Sequence, residues 1–463
     1  MLKGKTDINK IIVFFLLIFS ASIIYSQNIA ISKIIIDGNK RTKESIILRE
    51  LTFVVNKEYT REELKAEFEK SKENLINTSL FNFVFIEISD SAQSMNLTIK
   101  ISVEERWYLW PYPILEHADR NINSWLQGDY MDRINYGISV TQYNFRGRRE
   151  YLKAKLRYGY KQQFALAYGN PGVDKNKRFG FETEIAYFRQ HEIAYSAINN
   201  ELVYFRDDNS FVKEILDYDL LLKYRRNHYN QFLLFMGFNR TQTADTVSVL
   251  NANYLLNGST DQTYLKTSAA FLHDKRDYVF YPLKGHYFRL TADYKYFTDE
   301  KYNLAFILAD FKNYLPLSKK FFHSAGLIAK KSLNKKQPYF IQEALGYGYY
   351  LRGYEYYVVD GNDFIMMQNN FKFEILPKKI KDFKFIPFSK FSKVHYAIYA
   401  NAFFDCGYVQ DKYAGSQGML DEFLYSYGLG LDFVTYYDRV MRIDFSVNKK
   451  GEKGVFLHFA MPI

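Results

Sequence analysis

The alternation of apolar and polar residues constrains this 463-residue chain more than anything else in it. From about Ile134 to the end, short segments place apolar side chains at every second position. Phe288, Leu290, Ala292, Tyr294 and Tyr296 interleave with Arg289, Thr291, Asp293 and Lys295. Leu152, Ala154, Leu156 and Tyr158 interleave with Lys153, Lys155 and Arg157, and Met441, Ile443, Phe445 and Val447 with Arg442, Asp444 and Ser446. A period of two puts each set on its own face of a strand. A closed antiparallel barrel, with lipid outside and water inside, uses both faces and satisfies every backbone group without an edge. The pattern predicts a mainly β chain, a transmembrane antiparallel β-barrel of the outer membrane. A large soluble sandwich also alternates, but 41 Tyr and 41 Phe beside only 3 Trp suit membrane girdles better than a Leu/Val core. A mean hydropathy of −0.31 is too polar for a bundle of membrane helices.

The N-terminus carries a different signal. Lys3, Lys5 and Lys10 precede the apolar stretch Ile11–Ile24 and the polar Tyr25-Ser26-Gln27, the layout of a secretory signal. About 14 apolar residues are too few to span a bilayer comfortably. Residues 1–26 are therefore predicted to be a signal peptide cleaved after Ser26, the alternative being an uncleaved anchor. Cys406 is the only cysteine, which excludes an internal disulfide and cysteine metal sites.

A net charge of +11 invites a polyanion-binding reading. Lys and Arg are instead interleaved through the strands, where lumen-facing positions would hold them, and no nucleic-acid partner is predicted. The one dense run, Lys378, Lys379, Lys381, Lys384 and Lys390, is placed in a periplasmic connection, either against anionic lipid headgroups or as a solvated turn. No Gly-x-Ser-x-Gly elbow, phosphate loop or His-Glu-x-x-His is present, and His191-Glu192 is followed by Tyr195 where a metal site would want His. No enzyme, cofactor or metal site is predicted.

Residues 27–106 read as a small α+β unit. Ile31, Ile34 and Ile36 form a strand ending at the turn Asp37-Gly38-Asn39. Thr42 can cap a short helix through Leu51. Thr60 with Glu63 is a capping box, after which Leu64, Phe68 and Leu75 share a helical face. Val84, Ile86 and Ile88 alternate, as do Leu97, Ile99, Ile101 and Val103. This order, with Gly38-Asn39, Arg41-Thr42 and Leu75-x-x-Thr78-x-Leu80-Phe81-x-x-Val84, resembles a POTRA domain. The resemblance implies a periplasmic unit whose strand edge, here Val84, Phe85, Ile86, Glu87 and Ile88, receives an extended client by β-augmentation; a bracing role at the barrel mouth is the alternative. Residues 107–133 contain all three Trp and read as an aromatic junction at the periplasmic interface.

Four ordered segments of the region 134–463 resemble the BamA/TamA superfamily of outer-membrane assembly factors and two-partner secretion transporters. Asp274-Lys-Arg276-Asp277 with Pro282 and Gly285 is similar to the family's periplasmic turn between middle strands. Leu351-Arg352-Gly353-Tyr354 is similar to the motif on the loop that folds into the barrel. Glu374 follows on the next strand, and Phe403-x-Asp405-x-Gly407 on the one after. Glu374 and Asp405 can both point into the lumen, where an inward Arg352 would bridge them through charge-assisted contacts. Gly353 would allow close backbone approach.

Strand candidates number roughly sixteen, an even number as bacterial barrels require. They begin at about Ile134–Asn144, include one centred near residue 197, and are interrupted by the inward loop at about 332–363. The last is at about Val455–Met461. The resemblance implies a single-POTRA assembly factor in the bacterial outer membrane, with the POTRA domain in the periplasm. Its partners would be the lipid bilayer and an unfolded outer-membrane or secreted client polypeptide, and periplasmic accessory proteins are further partners the resemblance admits. A translocation pore that secretes a partner polypeptide is the alternative function.

Overall fold

The computed structural model describes residues 29–89, 96–117, 134–299, 301–334, 336–384, 386, 389–411, 418–435 and 437–459. The predicted signal peptide and the junction residues Asp119, Arg120, Asn121 and Trp125 lie outside the described residues.

The N-terminal unit runs β1 (Ile29–Asp37), α1 (Glu44–Leu48), β2 (Glu58–Tyr59), α2 (Arg61–Asn77), β3 (Phe81–Ile88) and β4 (Asn96–Glu105). Its sheet order is β2-β1-β4-β3, with β1 parallel and β3 antiparallel to β4. Helix α2 starts at the capping box: the Glu63 amide donates to Thr60 Oγ1 at 3.2 Å, and the Thr60 amide donates to Glu63 Oε2 at 2.9 Å. Ile31, Ile47, Leu64, Leu75, Phe81 and Ile99 close the core between helices and sheet. Thr42 does not cap α1, as its position suggested. Its hydroxyl donates to Glu105 Oε1 at 2.7 Å, and Lys43 takes the N-cap position without a side-chain bond.

The rest of the chain continues with β5 (Leu109–His117), β6 (Ile134–Phe145), β7 (Glu150–Gly159), β8 (Lys161–Asn170), β9 (Phe179–Gln190), β10 (Glu192–Ile198), β11 (Glu201–Arg206), β12 (Lys213–Arg225) and β13 (Asn230–Thr243). After α3 (Asp245–Leu250) come β14 (Asp261–Asp274), β15 (Gly285–Phe297), β16 (Tyr302–Pro316) and β17 (Phe321–Ser332). A segment carrying the short β18 (Glu343–Leu345) and β19 (Val359–Asp360) leads to β20 (Asp363–Asp382). The chain closes with α4 (Ser389–Ser392), β21 (Lys393–Gln410), β22 (Phe423–Thr435), β23 (Arg439–Asn448) and β24 (Lys453–Phe459). One 16-stranded sheet runs from β5 to β24, every neighbouring pair antiparallel, with β10–β11 and β18–β19 as separate pairs outside it.

The two faces of this sheet invert the usual protein pattern. Leu290, Ile307, Phe371, Leu429, Ile443 and Phe445 are exposed on the outside, whereas Gln262, Ser324, Asn370, Lys372, Asp405 and Asp432 are buried within. Leu290 is 43% exposed and its neighbour Thr291 only 6%, as the period of two requires. An apolar exterior around a polar interior is what lipid outside and water inside select.

Two boundaries differ from the sequence reading. Leu109–His117, placed there in a junction of residues 107–133, is the first barrel strand, paired with β6 from Leu109↔Gln142 to His117↔Ile134. Pro111 and Pro113 disguise it, because proline argues against a strand except at a sheet edge, which is where β5 lies. Trp107 and Trp110 flank its start at the periplasmic rim, against Phe391 and, for Trp110, Tyr437. The strand placed near residue 197 belongs instead to the β10–β11 hairpin. The total of sixteen holds because one omission offsets one surplus. The basic run also differs: Lys378, Lys379 and Lys381 are on β20 itself, which reaches Asp382, beyond its last pairing with β17 at Phe373.

Candidate functional site

The segment between β17 and β20 folds into the barrel and is fastened there by the Leu351-Arg352-Gly353-Tyr354 motif. Arg352 donates from Nε to Asp405 Oδ2 at 2.7 Å and from Nη2 to Asp405 Oδ1 at 2.5 Å. Its Nη1 donates to Asn370 Oδ1 at 2.6 Å, and the guanidinium lies 3.8 Å from the centroid of the Phe403 ring. Arg352 is 6% exposed and Asp405 fully buried. The planar fork of arginine suits this bidentate grip and the stacking beneath it in a way that lysine does not. Gly353 has φ +84°, a left-handed conformation that a side chain resists. Leu351 and Tyr354 are buried beside Leu345, Phe364 and Val409, and the Tyr354 hydroxyl donates to the Tyr425 carbonyl at 3.1 Å. Gly407 lets the loop lie close, since a Cβ there would sit 3.1 Å from both Leu345 and Leu351.

Glu374 is not a partner of Arg352, contrary to the expected three-way contact. The β20–β21 register sets Gln368 opposite Asp405, Asn370 opposite Phe403 and Glu374 opposite Tyr399, so Glu374 lies four residues further along β20 than Asn370. It accepts a hydrogen bond from the Tyr399 hydroxyl at 3.3 Å. A second buried ion pair stands beside the first: Arg442 donates to Asp432 at 2.6 and 2.9 Å, and Asp432 also accepts from Tyr281 at 2.7 Å.

Tyr281 belongs to the turn between β14 and β15. There Arg276 grips Asp274 through Nε and Nη2, at 2.8 and 2.6 Å. Asp277 Oδ1 accepts from the Leu283 and Lys284 amides, Pro282 is buried, and Gly285 opens β15. The turn motif thus builds a rigid loop whose Tyr281 reaches the lumen network.

The N-terminal unit is clamped on the same end of the barrel. Glu50, 2% exposed, accepts from Arg225 through both oxygens, at 2.7 and 2.5 Å, and from Arg49. Burial pushes the Glu50 carboxyl up, but Arg225, ahead of Arg49 and Arg149, outweighs it and holds the group well below the ordinary carboxylate range. Arg106 makes a matching clamp with Asp438, which also accepts from the Tyr278 hydroxyl at 2.5 Å. Asn77 donates to the Arg276 and Asp277 carbonyls and accepts from the Val279 amide. Gly147, with φ +72°, comes so close that a Cβ would meet the Arg41 carbonyl at 2.0 Å. One domain thus touches the turns after β6, β12, β14 and β22, which shows that the sheet curls into a barrel. None of these contacts was legible in the sequence: Glu50 and Arg225 are 175 residues apart, and Arg106 and Asp438 are 332 apart.

The edge Val84–Ile88 is where the sequence reading placed it. Among the described residues, strand β3 is terminal in its sheet and pairs only with β4. Phe85 and Ile88 are exposed. The opposite end of β3 approaches the barrel, since Asn82 donates to the Lys390 carbonyl at 3.3 Å.

Comparison with known proteins agrees with this geometry. A POTRA family model, described as surface antigen variable number repeat, matches residues 29–106. The fold is similar to that of BamA from Haemophilus ducreyi lacking POTRA domains 1–3, at 14% identity and a TM-score of 0.51, covering 93% of this chain and 84% of that one. It is similar also to CdiB from Escherichia coli, at 10% identity and a TM-score of 0.53, covering 94% and 76%. No curated protein matches by sequence. A barrel with this apolar exterior, preceded by a POTRA domain, sits in the bacterial outer membrane with the POTRA domain in the periplasm.

Proposed function

We propose, for a chain that joins a POTRA domain to the sixteen-stranded barrel of the BamA/TamA superfamily, that it is a non-enzymatic outer-membrane assembly factor. An extended client pairs with the β3 edge at Val84–Ile88, and the barrel seam then opens to template its insertion into the bilayer. The observation that carries this reading is the seam. Strands β5 and β24 end the sheet, and among the described residues no ladder joins them. The sheet's end strands, and so the seam's, are Leu109–His117, rather than about Ile134–Asn144, and Lys453–Phe459. A sheet edge inside a membrane demands partners for its backbone groups, and an incoming strand supplies them.

A pore that secretes a partner polypeptide through the lumen is the second reading, favoured by the similarity to CdiB as well as to BamA. Such a pore needs a clear lumen, so the inward loop and the clamped POTRA domain would both have to leave first. Photo-crosslinkers placed at Phe85 and at Leu457, followed by mass spectrometry of the adducts, test the choice. Barrel proteins captured at both positions support insertion. Capture of a secreted polypeptide at Phe85 and along the lumen, with none at Leu457, overturns it.

A further inference from the structure

The space enclosed between the POTRA domain and the barrel mouth carries a surplus of positive charge. A chamber of about 660 Å³ lies between α2 and the turns after β6, β8, β12 and β14, within the roughly 300–1,000 Å³ of ordinary ligand pockets. Among the described residues, nine lysines and arginines line it against four carboxylates. Three of those carboxylates are already engaged: Glu50 with Arg225 and Arg49, Glu182 with Lys223, and Asp274 with Arg276.

The remaining positive charge is held inside the chamber. Arg49 Nη1 is buried and has no hydrogen-bond partner among the described residues. The Arg149 side chain is 30% exposed, open to the chamber, and stands 3.8 Å from Glu50. Burial pushes its guanidinium down to about 10 despite Glu50, with Arg49 and Arg225 adding to the effect, so it stays charged at neutral pH. Arg178 and Lys284 line the same wall, and Lys275 lies over the Tyr229 ring, 5.3 Å from its centroid. Like charges gathered in a partly enclosed space draw anions into it. Glu50 shows which anion suits: both oxygens of a peptide side-chain carboxylate sit in the fork of Arg225. Thr78, Ser79 and Leu80, which lead into β3, form part of the wall, so the chamber adjoins the strand assigned to the client.

We propose that this chamber is a second client site, which takes an acidic segment of an extended polypeptide by seating its Asp and Glu side chains against Arg149, Arg178, Lys275 and Lys284. This rests on the reading above that an extended client arrives from the periplasm. It adds a selection by charge to the main-chain pairing on β3. The Arg225–Glu50 clamp stays closed, and the client carboxylates take the open side of the chamber beside it.

The test uses the full-length protein in nanodiscs of zwitterionic lipid and two fluorescent peptides of equal length, one alternating Thr with Glu and the other Thr with Gln. At low salt the Glu peptide should bind about tenfold more tightly than the Gln peptide. The difference should vanish in about 1 M salt, where the Debye length falls to about 3 Å. Arg178→Gln with Lys284→Gln should weaken the Glu peptide about fivefold, whereas Lys379→Gln with Lys381→Gln, the same charge removed outside the chamber, should change it less than about twofold. An unchanged spin-label distance between residues 65 and 320 shows that the POTRA domain stays docked. If the chamber pair undocks it, Arg178→Gln alone should still weaken the Glu peptide part of the way. Benzoylphenylalanine in place of Tyr229 or Phe85 locates the peptides, and position 229 should capture the Glu peptide. Equal affinities for the two peptides, equal losses in the two variant pairs, or no capture at position 229 overturns the chamber site. Capture at position 85 would then leave pairing on β3 standing. Capture at position 229 alone supports the chamber and overturns pairing on β3, and capture at neither overturns both. Displacement of the Glu peptide by inorganic phosphate at matching concentration makes this a phosphate site and overturns the assignment to a polypeptide.

Discussion

Arg352 and Asp405 form a bidentate pair, at 2.7 and 2.5 Å, between the tip of the inward loop and the barrel wall. The pair is buried, and Asn370 accepts from the third guanidinium nitrogen, Nη1. Arg352→Ala would leave a carboxylate without its cation, a change that costs about 3–5 kcal/mol in a dry interior and less in a hydrated lumen. The expected outcome is loss of loop docking and of function, with Asp405→Ala nearly as harmful and the double variant little worse than either. A double-mutant cycle on barrel unfolding should return a coupling of at least about 1 kcal/mol. Strictly additive losses would show that the two do not act as a pair.

Glu374→Ala serves as the internal contrast. Among the described residues its carboxylate accepts only a long bond from Tyr399, at 3.3 Å, so the substitution should cost about 1 kcal/mol or less and leave the loop docked. Chymotrypsin accessibility of the Tyr-rich residues 333–362 reads this out: protection like wild type is expected for Glu374→Ala, and cleavage for Arg352→Ala.

The Glu50 clamp makes a prediction in pH. A carboxyl held below its ordinary range contributes stability that is complete above the undocked value of about 4.3 and is lost as pH falls through the lower, docked value. Docking of the POTRA domain should therefore persist at pH 5 and weaken only under stronger acid. Glu50→Gln should weaken it by about 3 kcal/mol at pH 5 and above, the low end for a broken buried pair since Gln still accepts a hydrogen bond, and the difference from wild type should shrink under stronger acid as Glu50 itself becomes neutral. Spin-label distances between residue 65 on α2 and residue 320 in the turn after β16 report the change. A wild-type distance that widens between pH 7 and pH 5 would contradict the role given to Glu50.

Leu290 and Thr291 test the faces. Leu290→Arg places a charge on the lipid side and should cost roughly 2–4 kcal/mol if near mid-bilayer. Arg289, one residue away and on the lumen side, shows that charge as such is compatible with this strand. Urea titration of the barrel refolded into lipid should show a lowered midpoint for Leu290→Arg. An unchanged midpoint would mean that Leu290 does not meet lipid.

The alternation of residues made the barrel and its two faces legible, because a period of two survives without any knowledge of partners. The capping box of α2 was readable for the same reason, being local. The ends of the barrel were not. Pro111 and Pro113 argue against a strand everywhere except at an edge, and no local pattern says which segment is the edge. Ile193 to Ile198 is a strand-length, mostly apolar run like a barrel strand, yet among the described residues it pairs only within its own hairpin. At the lumen site the motif located Arg352 and Asp405, while the third partner depended on strand register. Sharing a face with Asp405 did not distinguish Glu374 from Asn370, and the pairing of Gln368 with Asp405 does. Glu50 and Asp438 left no trace in the sequence, since a carboxylate whose partner is more than a hundred residues away looks like any other.

The most direct measurement is the fate of barrel proteins when this chain is depleted from cells. Insertion at the seam requires that one or more outer-membrane barrel proteins fall in the outer-membrane fraction and accumulate in the periplasm as unfolded chains. Restoration by the wild-type gene but not by Arg352→Ala is the expected companion result. An outer membrane with unchanged barrel proteins, together with a secreted polypeptide retained in the periplasm, would contradict insertion.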